Sequence, residues 1–164
     1  MARQRLPRVL MAGTRDASEV VRLALGGEVE FVQAFSVEDA LKQSASGIDL
    51  VVCNLRFDNS RMFDFLGALR QGEQRHLPVV CLRSYQALLS PSTLKVIEMA
   101  LGALGVNAYL DLPAIAQEHG MEAAFARLRA TVLAELPPPE GAEGEPPKAG
   151  GGAEDGPQEL QRPQ

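Results

Sequence analysis

The chain has 164 residues, 46 % of them apolar and 23 % charged, which is the make-up of one ordinary folded domain and leaves too little length for two. Sixteen Lys+Arg against 21 Asp+Glu give a net charge of −5, so nucleic acid and anionic lipid would be met by like charge, and neither is expected as a partner. With no Trp and 5 % aromatic residues, platforms for stacking bases are scarce, and no apolar run is long enough to cross a bilayer.

The basic start up to Arg8 is not followed by an unbroken apolar segment before Arg15 and Asp16, so no signal peptide is expected. Cys53 and Cys81 each sit inside an apolar run. They read as buried thiols of a reducing compartment, and a cytoplasmic location is expected.

Along the chain, short β-rich apolar runs at 9–12, 29–34, 48–54, 78–82 and 108–110 alternate with segments of helical period. The first helix is predicted from Asp16, read as its N-cap, to Leu25, where Gly26-Gly27 stops it. The second starts at Ser36, with Asp39 three residues on in the manner of a capping box, and ends near Gly47. The third carries Met62, Phe65, Leu66 and Leu69 on one face and stops at Gly72. A fourth opens on Ser90-Pro91 and carries Leu94, Ile97, Leu101 and Leu104 up to Gly105. After a short turn at 114–118 and a break at His119-Gly120, the last places Met121, Phe125, Leu128, Val132 and Leu136 at helical spacing.

The order is (βα)5, and right-handed crossovers make it a parallel, doubly wound α/β sheet. Leu50-Val51-Val52-Cys53 is apolar at every position, as a strand covered on both faces must be, whereas Glu28 and Glu30 alternate with Val29 and Phe31 as on an edge. The strand order 2-1-3-4-5 fits best. Function is then expected in the loops 13–16, 54–60, 83–90 and 111–113, at the carboxyl ends of the strands.

From residue 137 the composition changes: 28 residues hold seven of the 11 Pro and six of the 15 Gly, with six acids against two bases. Such a segment cannot bury enough surface to offset its ordering entropy. The predicted organisation is a flexible start at 1–7, a folded domain at 8–136 and a disordered tail at 137–164.

The opening strand Arg8-Val9-Leu10-Met11-Ala12, the run from Asp49 to Leu55, the run from Leu77 to Leu82 and the block from Leu104 to Leu110, closed by Pro113, together resemble the receiver domain of bacterial two-component response regulators. The resemblance covers about residues 7–135. It implies an aspartate at the end of strand three that accepts a phosphoryl group, and an acidic pair after strand one that helps hold Mg²⁺. It also implies a hydroxyl residue ending strand four and a lysine after strand five. Here the nucleophile position falls on Asn54, the acidic pair on Gly13 and Thr14, the hydroxyl on Arg83 or, one residue on, Ser84, and the lysine on Leu112.

An amide nitrogen is a poor nucleophile and its oxygen brings no charge to a divalent ion. The expectation is therefore a degenerate receiver with no catalytic activity, metal or cofactor, acting by protein–protein contact and in the phosphorylation-independent manner of an adaptor. The resemblance puts its contact surface on the fourth helix, fifth strand and last helix. Tyr109 falls at the position of the family's switch aromatic, and the extended 83–90 connection adds Tyr85, Leu88 and Leu89 as contact candidates.

A homodimer stays open. An alternative is a receiver with a displaced phosphoacceptor, for which Asp58 is nearest. Asp16 and Asp111 belong to the same set of rim acids, read as solvated loop residues that stand off the strand ends. A second alternative is a small doubly wound ligand-binding enzyme, without support from any Gly-rich phosphate loop or nucleophile elbow. His76 and His119 read as helix-end residues.

Overall fold

A computed structural model describes residues 5–85 and 89–138; Leu88 and the segment from residue 139 onward lie outside the described residues. The unit formed by Arg5–Pro137 is built on five parallel strands, β1 (Arg8–Ala12), β2 (Glu30–Ala34), β3 (Leu50–Asn54), β4 (Val79–Arg83) and β5 (Ala108–Asp111), in the order β2-β1-β3-β4-β5. All five residues of β3 are buried, whereas β2 begins on the exposed Glu30 at the sheet's edge.

The helices are α1 (Arg15–Leu25), α2 (Val37–Ser44), α3 (Met62–Gln71), α4 (Pro91–Ala103), α5 (Leu112–His119) and α6 (Met121–Glu135). Alternation along the strands divides the core in two. Leu10, Val51, Cys53, Val79 and Cys81 meet α2, α3 and Leu101 of α4 on one face, with Phe57 edge-on to Phe65 at 5.5 Å. Val9, Met11, Val52, Val80 and Leu82 meet α1, Leu112 of α5 and α6 on the other. Residues 5–7, grouped by sequence with a flexible start, make contacts to the sheet. Pro7 accepts from the Glu30 N–H at 2.8 Å, and Arg5 pairs with Asp49 at 3.2 Å.

Three sequence readings are corrected. The N-cap of α1 is Thr14, whose Oγ1 accepts from the Ala17 N–H at 3.2 Å, and Asp16 sits one turn-position inside the helix. The presumed turn at 114–118 is a full eight-residue helix, because Pro113 lies in its first turn and Asp111 Oδ1 caps it by accepting from the Ala114 N–H at 3.2 Å. Asp111 is therefore the last residue of β5 rather than a loop acid.

Helix α4 is lightly held: only Leu101 is fully buried, while Val96 and Met99 stand 63 % and 67 % exposed on its outer side. Its C-terminal end is clasped by Arg70 of α3, which donates to the carbonyls of Leu104 (2.8 Å) and Gly105 (3.0 Å) and also to those of Arg75 and Leu77 (2.7 Å each). Among the described residues no helix is long and apolar enough to cross a membrane.

Candidate functional site

The parallel register brings the ends of β1, β3, β4 and β5 together, so residues far apart in sequence share one rim. Asn54 closes β3 and is wholly buried. A buried carboxamide must find partners for both its ends. Its Nδ2 donates to Ser84 Oγ at 2.8 Å and its Oδ1 accepts from the Arg56 N–H at 2.9 Å. Ser84, the second of the two hydroxyl-position candidates, is thus the residue that meets Asn54.

Gly13, after β1, lies directly against Asn54. A Cβ added there would stand 2.7 Å from Met11 Cε and 3.1 Å from Asn54 Cβ. The volume that an acidic side chain would need is occupied by the buried Met11 methyl, and the hydroxyl of Thr14 is engaged as the cap of α1. Leu112 turns into the core beside α6.

Arg83, the last residue of β4, is buried and pairs with its register partner Asp111 at 2.7 Å. A buried arginine is held at this rim by a carboxylate from the neighbouring strand, and the same Asp111 caps α5 through its other oxygen. Asp58 is likewise engaged: its Oδ2 accepts from the Val37 N–H at the start of α2 (2.9 Å) and pairs with Arg61 at 3.1 Å. Arg61 also reaches Glu38 and Asp64, at 3.3 and 3.5 Å. This network holds a turn in which Asp58, Asn59 and Ser60 all have positive φ (47°, 56° and 66°), a left-handed path that costs non-glycine residues about 1–2 kcal/mol each. Asp58 and Asn59 are of the residue types that enter this region most readily after glycine, a local signal for the turn.

A divalent cation does not fit the residues present. The three positions that the resemblance marks for carboxylates hold Asn54, Gly13 and Thr14, and two of the rim acids, Asp58 and Asp111, are bound to arginines and helix N–H groups. Among the described residues no three Asp, Glu, His or Cys side chains converge to hold a metal ion. His119 ends α5 beside Glu118, and the exposed His76 lies in the turn that leads into β4, well past the end of α3.

Tyr85 packs down on the core, with the Arg56 guanidinium 3.7 Å above its ring centroid and that of Arg83 at 5.7 Å. Leu89 is half-buried. Tyr109, on β5, packs against the same core; its hydroxyl is buried with no hydrogen-bond partner among the described residues, and burial, then the nearby Asp111 charge, push its pKa up to about 12. An unpaired buried hydroxyl is a net cost, so Tyr109→Phe is expected to leave the melting temperature unchanged or to raise it. The folded state holds the Tyr109 proton more tightly, so stability contributed by this group is lost as pH rises from 10 towards about 12. The phenylalanine variant should lose less over that window in pH-dependent melts; an equal loss would place the titration elsewhere.

Cys53 and Cys81 are register partners on β3 and β4, both free and buried. Burial pushes the Cys81 thiol up to about 12 and that of Cys53 higher than its ordinary value as well. Thiolate is the reactive form, so neither should react with a water-soluble disulfide reagent until the protein is unfolded; rapid labelling of the native chain would contradict this.

Five parallel strands in this order, three helices on one face and the others opposite, and a site at the carboxyl rim define the flavodoxin-like fold used by response-regulator receiver domains. The similarity extends to solved structures. A response regulator from Thermotoga maritima matches at 18 % identity and TM-score 0.58, over 79 % of this chain and 96 % of that one. The chemotaxis response regulator CheY4 of Vibrio cholerae matches at 20 % and 0.59, over 80 % and 99 %. The response regulator TrrA of T. maritima, in complex with Mg²⁺–BeF, matches at 19 % and 0.59, over 80 % and 100 %. No family model matches the sequence, and no curated protein does.

Proposed function

We propose that this chain is a signalling module of receiver type that works without phosphorylation, by protein–protein contact through the face made by α4, β5 and the helices that follow β5. The observation that carries this reading is Asn54: a neutral, buried side chain at the nucleophile position, with both of its polar ends already spent on Ser84 and the Arg56 backbone. The contact face is supported by the apolar outer side of α4, where Val96 and Met99 lie exposed next to the strand that carries Tyr109. Exposed large apolar groups one turn apart on a lightly packed helix suit a partner surface.

Phosphorylation at a displaced acid is the competing reading, and the bonds of Asp58 speak against it: attack on phosphorus would take a carboxylate away from both Val37 and Arg61. Incubation with Mg²⁺ and acetyl phosphate, followed by intact-mass measurement, tests the two. No phosphoryl adduct is expected. A stoichiometric adduct that disappears in Asp58→Asn would establish the displaced-acceptor reading instead.

A further inference from the structure

The rim that lacks a carboxylate pocket carries arginines stacked on aromatic rings. Arg56 lies 3.7 Å from the Tyr85 ring centroid, Arg83 5.7 Å from the same centroid, and Arg15 5.3 Å from that of Phe35. Stacking fixes a guanidinium by its face and leaves its in-plane N–H edge directed outward, a rigid fork suited to a carboxylate. Arg61 and Arg83 already have carboxylate partners. Arg56 is exposed and forms no ion pair among the described residues, so its charge is preorganised and uncompensated.

Next to this fork, and joined to it through Arg83 and Ser84, runs an open groove of about 840 Å³ whose walls are Val20, Leu112, Met121 and Phe125. Met121 is 60 % exposed at its edge. An anchored arginine and tyrosine beside an apolar trough is the composition that dominates binding energy at protein interfaces.

We propose that this rim and groove bind an acidic peptide segment of a protein partner, with a carboxylate on Arg56 and an adjoining apolar side chain in the groove. A phosphate is a poorer fit. Its usual cradle is a set of converging backbone N–H groups, whereas here the Arg56 N–H is spent on Asn54 and the Leu55 N–H on the Leu82 carbonyl. The groove shares α5 and α6 with the face proposed above, whereas Val96 and Met99 of α4 lie outside it, so variants on α4 test that face separately.

The test is a fluorescence-anisotropy titration of the full chain with a labelled Gly/Ser-flanked peptide that carries Glu-Glu-Leu-Leu, against the same peptide with Lys in place of Glu. Saturable binding of the glutamate peptide is expected, weakened about tenfold by Arg56→Ala and only partly recovered by Arg56→Lys, since a single ammonium lacks the fork. Met121→Glu should weaken it as well, and Met99→Glu, on α4, should not. The proposal is overturned by no saturable binding, by equal binding of the lysine peptide, or by an Arg56→Ala variant that melts and binds as the wild type does. Binding of inorganic phosphate without binding of the peptide would also overturn it, in favour of a small-anion site.

Discussion

Replacing Arg70 by methionine is expected to destabilise the domain by about 3 kcal/mol, or roughly 10 °C in melting temperature for a domain of this size. Methionine preserves most of the apolar stem and removes only the donors, so the change isolates the hydrogen bonds. Those donors reach four carbonyls at 2.7–3.0 Å: two at the C-terminal end of α4 and two in the turn that leads to β4. The α4 pair lies where the helix dipole concentrates partial negative charge, which a guanidinium complements.

The bonds to Leu104 and Leu77 are partly buried and are the ones water replaces least well; those to Arg75 and Gly105 are exposed and contribute less. Lysine should recover only a part of the loss, because one ammonium cannot span four acceptors. Because α4 has a single fully buried side chain, its last turn should also lose amide-exchange protection first. A drop under about 1 kcal/mol in urea denaturation would mean that solvent replaces the arginine. The prediction bears on function, since α4 carries the exposed Val96 and Met99 of the proposed contact face.

The second large effect concerns the attempt to rebuild an acidic site. Asn54→Asp alone is expected to bind no Mg²⁺ by calorimetry, since one carboxylate without companions leaves a hard cation short of oxygen ligands and charge. Adding Gly13→Asp should make matters worse rather than better. The new Cβ would stand 2.7 Å from Met11 Cε and 3.1 Å from Asn54 Cβ, with Met11 buried. The Met11 methyl, the far end of a flexible side chain, can turn aside at little cost, so the loss comes chiefly from the tight approach to Asn54 and from burying an unpaired carboxylate. The double variant should melt below either single one and still give no heat with Mg²⁺. Clear Mg²⁺ binding by Asn54→Asp would show that another acid reaches the site and would remove the main support for the proposed function.

Much of the architecture is legible in the chain because the signals are local. The apolar runs gave all five strands to within two residues at either end, and Ser36, Ser90 and Gly72 mark helix ends that the structure confirms. Local signals misled where a distant partner decided the outcome. Asp111 looked like a loop acid, yet Arg83 on the adjacent strand draws it into the ladder. Thr14 rather than Asp16 caps α1, because two eligible side chains stand two residues apart and only the turn geometry chooses between them. Arg70 carried no signal: its acceptors lie up to 35 residues away, beyond any periodicity.

By itself, the sequence determined the parallel (βα)5 plan and the absence of carboxylates at the three positions where the resemblance requires them, since hydrophobic period and residue identity are properties of the chain. Only the tertiary structure decided what stands there instead. Hydrogen bonds and ring contacts depend on which strand ends are neighbours, and that neighbourhood sets Asn54 on Ser84, Asp111 on Arg83 and the Arg56 guanidinium over Tyr85.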